Sequence, residues 1–373
     1  MNRHLFLQPL DVLYLRGNKL FGDPGSFGES LIPPWPSVAA GALRSQILAQ
    51  DGIDLSEFAA GRIEHAALGT PERPGPFTVT SFHLARRAKD GTVSSLYAPP
   101  ADLVIRKDDD GALGVSALRP TRPADGIQSS SALTLLPVLA EDARGKPVGG
   151  YWLTEAGWRK YLAGGVPTAD DLIESAMLWK LDTRVGVGLD ASTGRADDGK
   201  LFTVQAAAFD SDVGFLVSMT GAEPPTSGAI RIGGDGRGAI VHETSYAAPL
   251  PDFEAIAESR RCRILLTTPG LFPNGWKLPG IDEEERFRLG EIGGRLVCAA
   301  VTRAEVVSGW DLARQHPKPA ARAVPTGSVY WLDDLDATPD QLRKLAAAGL
   351  WRDAAENAAR RAEGFNRFIF AAY

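Results

Sequence analysis

The chain has 373 residues, 44% of them apolar, which is enough material for about two domains with a core each. Its net charge of −6 excludes a protein that coats polyanions indiscriminately, although an acidic body can still carry a local cationic groove. No apolar run approaches the roughly 18 residues of a membrane span, and the N-terminal apolar stretch is too short for a signal peptide, so a cytoplasmic protein without membrane contact is expected.

Residues 5–48 predict a strand, a polar turn and a helix in strict order. Residues 5–10 suit a strand, and basic side chains follow the apolar patch at residues 12–15. Three prolines force an extended path before Ser37, which is well placed to cap a helix. Backbone amides and cations at a crossing from strand to helix favour an anion. The candidate residues for this contact are Arg16, Lys19, Gly41 and Arg44.

The next segments predict strands and one further helix of the same unit. A strand is expected at residues 77–85, which include His83, and residues 96–106 are expected to be extended. Thr154 is a plausible helix cap. Thr168 and Asp171 have the spacing of a capping box, which predicts a helix over residues 170–181.

Residues 181–204 predict a long hairpin with a polar tip. Arg184 precedes two glycines and is the better candidate for a fixed contact, whereas Arg195 lies in the polar excursion at residues 192–200. A hairpin of this composition either reaches out to a partner or forms a surface loop, and the sequence leaves both interpretations open.

The glycine-rich segment at residues 230–242 matches the spacing G-x-G-x-x-A of a dinucleotide-binding turn. That motif requires a helix after the glycines, but residues 240–242 continue as a strand. A glycine-rich hairpin is therefore favoured, with backbone amides that can face a phosphate. Its candidate contact residues are Gly234, Gly236 and Arg237.

A second unit is predicted to begin after residue 250. Strands are expected at residues 262–268, 296–307, 328–332 and 365–372, with a helix capped by Thr338 before the last of them. Cys262 and Cys298 lie in apolar runs and are expected to be buried free thiols. The pattern predicts an α+β fold of two tandem ferredoxin-like (RRM-like, βαββαβ) domains, residues 1–250 with long insertions and residues 251–373.

Aromatic and cationic residues alternate in two proline-rich stretches of the second unit. This combination suits single-stranded nucleic acid, because bases stack on aromatic rings while cations follow the phosphates. Arginine outnumbers lysine 30 to 10, which reflects either genome composition or bidentate phosphate contacts. The candidate residues are Trp276, Lys277, Lys318 and Arg322.

Catalytic motifs are hard to find. The five histidines stand apart, with no metal-ligand spacing, nucleophile elbow or phosphate-binding loop. We therefore expect no enzyme, no metal and no cofactor. One alternative keeps His83 as the single base of an RNA-cleaving site, and another is a nucleotide-dependent metabolic enzyme that uses residues 234–239.

Taken together, the ordered motifs resemble the third subunit of the Cmr complex, the type III-B CRISPR effector. The resemblance covers nearly the whole chain and rests on PLDVLYLRGNKLF, SLIPPWPSVAAGALRS, RVGVGLD, IRIGGDGR, LLTTPGLFPNGW and EGFNRF. It implies membership of the RAMP superfamily, in the group that caps the 5′ end of the guide RNA. Superfamily members often have a glycine where Asn366 stands, which puts in doubt whether that loop approaches RNA closely.

The resemblance also implies a function and partners. The chain would be a non-catalytic subunit that binds the 5′ tag of the crRNA and bridges the large polymerase-like subunit to the backbone RAMP subunit, with target RNA as an indirect partner. Arg16, Gly41 and Arg44 fall in the family's first motif, Arg184 in its second and residues 233–237 in its glycine-rich hairpin. The polar tip around Arg195 would match an inserted finger. A RAMP endoribonuclease that processes guide-RNA precursors is the alternative.

Overall fold

The computed structural model describes residues 2–17, 26–140, 146–353 and 356–373, and it is a mixed α/β protein in which strands predominate. The strands are β1 Arg3–Pro9, β2 Ser26–Gly28, β3 Thr78–Arg87, β4 Val93–Leu96, β5 Leu103–Lys107, β6 Leu113–Ala117, β7 Arg119–Thr121, β8 Leu136–Val138, β9 Tyr151–Leu153, β10 Leu172–Glu174, β11 Trp179–Leu189, β12 Ala196–Phe209, β13 Val213–Thr220, β14 Ala229–Arg231, β15 Gly238–Glu243, β16 Cys262–Leu266, β17 Arg286–Leu289, β18 Ile292–Ala300, β19 Glu305–Val307, β20 Trp310–Asp311, β21 His316–Pro317, β22 Ala321–Ala323, β23 Val329–Asp336 and β24 Phe368–Ala371. The helices are α1 Pro36–Gln50, α2 Leu55–Ala59, α3 Glu155–Leu162, α4 Phe253–Ser259, α5 Pro339–Ala348 and α6 Ala358–Ala362. None of the described helices is long and apolar enough to cross a membrane.

The first large sheet has six antiparallel strands in the order β14-β15-β1-β13-β3-β4. Alternation in β1 sends Leu5 and Leu7 to the face that α1 covers, and Phe6 to a small buried cluster on the opposite face. Helix α1 buries Leu43 and Ile47 in the same core. Both faces of β1 are therefore buried at its centre, which explains why its three central residues are all apolar.

The start of α1 differs from the prediction. The helix begins at Pro36, and Trp35 rather than Ser37 is its N-cap residue, with no side-chain cap. Proline is favoured in the first turn because it has no N–H to leave unpaired and its φ already suits a helix. The proline run therefore determines where the helix starts, and Ser37 lies inside it.

The second large sheet has five antiparallel strands in the order β17-β18-β23-β16-β24. Helix α5 packs against it through Leu342 and Leu345. The predicted start of this helix is confirmed, because Thr338 and Gln341 form a reciprocal capping box and Pro339 is the first helical residue. Cys262 and Cys298 are buried free thiols, as predicted, and burial raises the pKa of Cys298 to about 12.

The helix predicted over residues 170–181 is wrong. The capping box of Thr168 and Asp171 is present, but it closes only a single 3₁₀ turn, Ala169–Asp171. Strand β10 follows at once and pairs with β9, where Ile173 lies opposite Trp152. Pairing of a β-branched residue with an aromatic one across two strands outweighs the local helix signal.

The predicted hairpin is present as a three-stranded sheet, β11-β12-β2, in which β2 is parallel to β12. Its two faces differ. One packs Val204 and Ala206 against Val12 and Tyr14, so it is tied to the body of the protein. The other carries a row of exposed apolar side chains from all three strands. This row consists of Phe27, Leu181, Val185, Val187 and Leu201.

A buried polar contact joins the segment between β4 and β5 to the second large sheet. Arg263 on β16 donates to the carboxylate of Asp102 at 2.9 Å and to the backbone carbonyls of Tyr161 and Ala372. Tyr161 Oη donates to the same carboxylate at 2.8 Å. Burial raises the pKa of Asp102, and the guanidinium of Arg263 opposes that shift.

Only the coarse part of the fold prediction is confirmed: a mixed α/β chain built on two main sheets. A βαββαβ unit has a helix on each crossover, and here one crossover of each sheet lacks it. Residues 221–228, between β13 and β14, contain no helix, and neither do residues 267–285, between β16 and β17. The division at residue 250 stays a prediction.

Candidate nucleic-acid interface

Three segments that are far apart in the sequence meet at Tyr14. The backbone N–H of Gly234 donates to the Tyr14 carbonyl at 2.9 Å. Arg184 Nη1 donates to Tyr14 Oη at 3.4 Å, and the guanidinium carbon of Arg237 lies 5.1 Å from the centre of the Tyr14 ring. We call Tyr14, Arg16, Arg184 and residues 233–237 the Tyr14 cluster.

The extended segment that carries Tyr14 is held on both sides. Leu13 exchanges two backbone hydrogen bonds with Ala207 of β12, at 2.9 and 2.8 Å. Leu31 donates to the carbonyl of Leu15 at 2.7 Å, and Arg16 forms an isolated bridge with Ser30. The cluster is therefore attached to the β12 hairpin on one side and, on the other, to the segment before α1, residues 30–35, which we call the lead-in of α1.

The approach of the glycine-rich hairpin to Tyr14 requires a glycine at position 233. Its φ is +76°, and a Cβ built there would lie 2.8 Å from the Tyr14 carbonyl oxygen. A Cβ at Gly234 would lie 3.4 Å from the Tyr14 Cβ and 4.0 Å from Arg16 Nε, so Arg16 borders the same loop. The predicted hairpin is confirmed, and β15 follows the glycines where a dinucleotide-binding turn would have a helix.

The cations of the cluster are paired with exposed aspartates. Arg237 donates to Asp11 at 2.9 Å and Arg184 to Asp182 at 2.8 Å. The hydrogen bond to Asp182 raises the pKa of Arg184. Both aspartates are at least half exposed, so these pairs are screened and contribute little stability. They orient the guanidinium groups, and a phosphate can take the place of the carboxylates because it accepts bidentate bonds from arginine in the same way.

Replacing Gly233 with alanine is expected to weaken RNA binding severalfold, because the new Cβ would push the hairpin away from Tyr14 and move Arg237 with it. The matched control is Gly52→Ala, which has a similar positive φ but no atom within 4 Å of the new Cβ. Fluorescence anisotropy with a labelled single-stranded RNA measures both. Equal affinities of the two variants would contradict the assignment.

Some residues predicted for the first motif lie elsewhere. Arg44 lies over the ring of Phe77 at 5.3 Å, where burial lowers its pKa and Glu363 opposes the shift. A Cβ at Gly41 would meet nothing within 4 Å, so no part of the described chain approaches it closely. Lys19 lies outside the described residues. Among the candidates of the first motif that the structure describes, Arg16 alone lies at the Tyr14 cluster.

The hairpin tip carries Arg195 in an exposed position. The turn before it is organised by Asp190, whose carboxylate accepts hydrogen bonds from Ser192 and Thr193, and these bonds lower its pKa to about 2. Lys200 pairs with Asp197 at 2.5 Å. Arg195 is thus placed on a formed turn at the end of the same hairpin that carries Arg184.

The four candidates of the second unit do not join the Tyr14 cluster through any described contact. Trp276 is 38% exposed, and its carbonyl accepts a hydrogen bond from Tyr330. Lys318 forms an ion pair with the nearly buried Glu363, so its charge is already compensated. The other two differ in exposure: Lys277 is half-buried and Arg322 is exposed.

Sequence reasoning missed Tyr14, Asp11 and Asp182. The signal for Tyr14 was present, since it stands two residues before Arg16 in an extended segment and the two side chains share a face. Nothing in the sequence around Asp11 or Asp182 indicates that these aspartates pair with arginines of the site. Asp11 is separated from Arg237 by 226 residues, and only the pairing of β1 with β15 brings them together.

Comparison with known proteins gives one family. The family model described as CRISPR-associated protein (Cas_Cmr3) matches residues 5–371. No curated protein matches the sequence. A chain in the cryo-EM structure of the Type III-B Cmr-beta bound to cognate target RNA is 14% identical with a TM-score of 0.45, and the alignment covers 88% of this chain and 86% of that one. A chain of the same complex with cognate target RNA and AMPPnP, state 1, is 14% identical with a TM-score of 0.49, over 98% and 95%.

Proposed function

The chain belongs to the CRISPR-associated Cas_Cmr3 family, and we propose that it is a non-catalytic subunit of a type III-B effector complex that binds the 5′ tag of the crRNA. The observation that carries this proposal is the Tyr14 cluster. Three motifs that the resemblance assigns to guide-RNA binding meet at one tyrosine, with three guanidinium groups and the amides of a glycine-rich loop beside each other. Single-stranded RNA is bound by such cations and oriented donors along its backbone.

We further propose that the chain bridges the large polymerase-like subunit to the backbone RAMP subunit. The exposed apolar row on the β11-β12-β2 sheet supports this role, because aligned aliphatic side chains of which 42–68% is exposed are typical of a protein-binding surface. The opposite face of the same sheet carries Arg184. One hairpin thus presents a cationic side to RNA and an apolar side to protein.

A ferredoxin-like plan for each sheet is part of the proposal. The antiparallel orders β15-β1-β13-β3 and β24-β16-β23-β18 each correspond to the spatial order 4-1-3-2 of a βαββαβ unit. Helix α1 occupies the first crossover of one sheet and α5 the second crossover of the other. The missing helices are replaced by the short strands β14 and β17 with their loops.

We propose that the chain is not catalytic, because the environment of His83 does not suit a general base. Burial lowers the pKa of this histidine to about 4, which makes it a poor proton acceptor, and its ring lies 4.9 Å from that of Tyr97. Incubating the pure chain with repeat RNA in EDTA tests this point. Cleavage that leaves a 2′,3′-cyclic end would instead support the endoribonuclease.

Co-purification from the source cell tests the proposed function as a whole. The chain is expected to come out with a large palm-domain protein, a backbone RAMP subunit and a short RNA of constant 5′ sequence. Recovery of the chain alone, without RNA, would contradict the proposal.

The phosphate contacts can be tested one arginine at a time. Replacing Arg16, Arg184 or Arg237 with glutamine is expected to flatten the log-log salt dependence of RNA affinity by about 0.7 each, since one phosphate contact is lost. Arg62→Gln is the matched control, because Arg62 is also exposed and paired with a carboxylate, Glu57, but lies outside the cluster. Slopes that stay unchanged in all three variants would contradict the assignment.

A further inference from the structure

A cavity of about 190 Å³ lies where the two large sheets meet. One wall is the proline-rich lead-in of α1, with Pro33, Pro34 and Trp35. A second wall is β3, whose pairing with β4 covers only its last residues, so that the edge at Phe82 and His83 is open to the cavity. Several lining residues are partly exposed, so the cavity opens to solvent.

The hydroxyl of Thr268 in the cavity lining is bonded to Gly364 and Arg367, but other polar side chains of the lining are less well paired. Within the described residues, no hydrogen bond is made by the imidazole of His83 or by the side-chain hydroxyls of Thr267 and Thr326. The carboxylate of Glu305 accepts one long hydrogen bond, from Trp35 Nε1 at 3.5 Å. His83, Thr267, Thr326 and Glu305 are all half-buried, so their polar atoms can be reached by a ligand that enters the cavity.

The lining also limits what the ligand can be. None of the described residues that line the cavity is a lysine or an arginine, so a phosphate or a carboxylate would find no cation there. Burial keeps His83 neutral and raises the pKa of Glu305. The remaining combination is a flat apolar wall of proline and tryptophan with a few neutral donors and acceptors and one carboxyl. It suits a planar heterocycle that carries both donors and acceptors.

The position of the cavity relative to the Tyr14 cluster indicates the source of that heterocycle. Leu31 lines the cavity, and its N–H donates to the carbonyl of Leu15 at 2.7 Å. The preceding residue, Ser30, forms a bridge with Arg16. The cavity therefore begins one residue from the cationic cluster, on the same short piece of chain. A backbone held at Arg16 could turn one of its bases into the cavity.

We propose that this cavity receives a single unstacked base of the bound RNA and selects bases that carry an exocyclic amine. Glu305 is the acceptor for that amine, as carboxylates are for the amino group of cytosine, and Thr267, Thr326 and His83 serve the ring nitrogens and carbonyls. Trp35 and the adjacent prolines cover the flat face of the base. This inference rests on the proposed function, since it requires that the cluster holds RNA.

The test uses the full chain and four RNA octamers: oligoadenylate, oligocytidylate, oligouridylate and an abasic octamer. The wild-type chain is expected to bind the adenine and cytosine octamers about tenfold more tightly than the uracil octamer, which lacks the amine. In Glu305→Gln this preference should disappear, because an amide can donate to uracil as well as accept from adenine. The salt dependence should stay unchanged, because the phosphate contacts remain. Glu283→Gln, an exposed carboxylate outside the cavity, is the matched control and should keep the preference.

The outcomes separate the two proposals. If the wild-type chain binds RNA and Glu305→Gln keeps the full preference for adenine and cytosine, the base pocket is wrong and RNA binding by the cluster stands. If the wild-type chain binds none of the octamers, including the abasic one, the proposed function fails and the pocket with it. Thr267→Val is a second variant for the case in which Glu305→Gln does not fold, and it should weaken binding of the adenine octamer more than that of the abasic one.

Discussion

Replacing Arg263 with methionine is expected to lower the free energy of unfolding by about 3–5 kcal/mol, because it leaves the carboxylate of Asp102 buried without its cation. Both side chains are almost completely buried, and Arg263 also donates to the carbonyls of Tyr161 and Ala372. The variant thus removes the contact that joins the segment carrying Asp102, between β4 and β5, to the second sheet. Urea denaturation followed by circular dichroism measures the change.

Two controls separate the buried charge from the lost packing. The double variant Arg263→Met, Asp102→Leu should recover much of the lost stability, since a buried ion pair can often be replaced by apolar residues of similar size. Arg286→Met removes an exposed pair with Asp282, which at 2.8 Å is about as short as the buried pair at 2.9 Å, and should change stability little. A loss in Arg263→Met no larger than that in Arg286→Met would show that the buried pair does not hold the two parts together.

Replacing Asn366 with alanine is expected to lower the free energy of unfolding by about 2–4 kcal/mol, because two buried backbone groups lose their partners. Asn366 Oδ1 accepts from the N–H of Leu271 at 2.6 Å, and its Nδ2 donates to the carbonyl of Leu350 at 2.9 Å. Its φ of +58° adds strain in any residue other than glycine or asparagine.

Glycine at the same position separates these effects. Asn366→Gly keeps the backbone conformation but loses the same two hydrogen bonds. Its free energy of unfolding should therefore lie between that of Asn366→Ala and that of the wild type. Thermal unfolding of both variants measures the difference. A glycine variant as stable as the wild type would mean that only the backbone conformation matters. Asn366 thus combines a left-handed backbone conformation with two side-chain hydrogen bonds.

The family and several strands of the two large sheets were predictable from sequence, because both depend on local patterns. The short motifs occur in the expected order, and the strands predicted at residues 5–10 and 77–85 are observed as β1 and β3. The predictions fail where contacts between distant parts of the chain outweigh the local sequence pattern. The Thr168 capping box predicts a helix correctly on local grounds, but the pairing of Ile173 with Trp152 makes a strand more favourable.

The candidate site was predictable only in its parts. Each cation was found from its own motif, but Lys318 is paired with Glu363, which is 45 residues away in the sequence. No spacing rule gives such a contact. Tyr14 was missed for a different reason. It lies in an apolar patch and resembles a core residue in the sequence, but three segments pack around it and it organises the site.

The convergence of these segments on Tyr14 has a thermodynamic consequence. Arg184 and the glycine-rich hairpin are 170 or more positions from Tyr14 in the chain, so they are its neighbours only when the first sheet and the β11-β12 hairpin are folded. A ligand of the cluster binds the folded chain and not the unfolded one. At a free concentration 100 times its dissociation constant, such a ligand adds about 2.7 kcal/mol to the free energy of unfolding. An RNA held at Tyr14 would thus act as a reversible cross-link between distant parts of the chain.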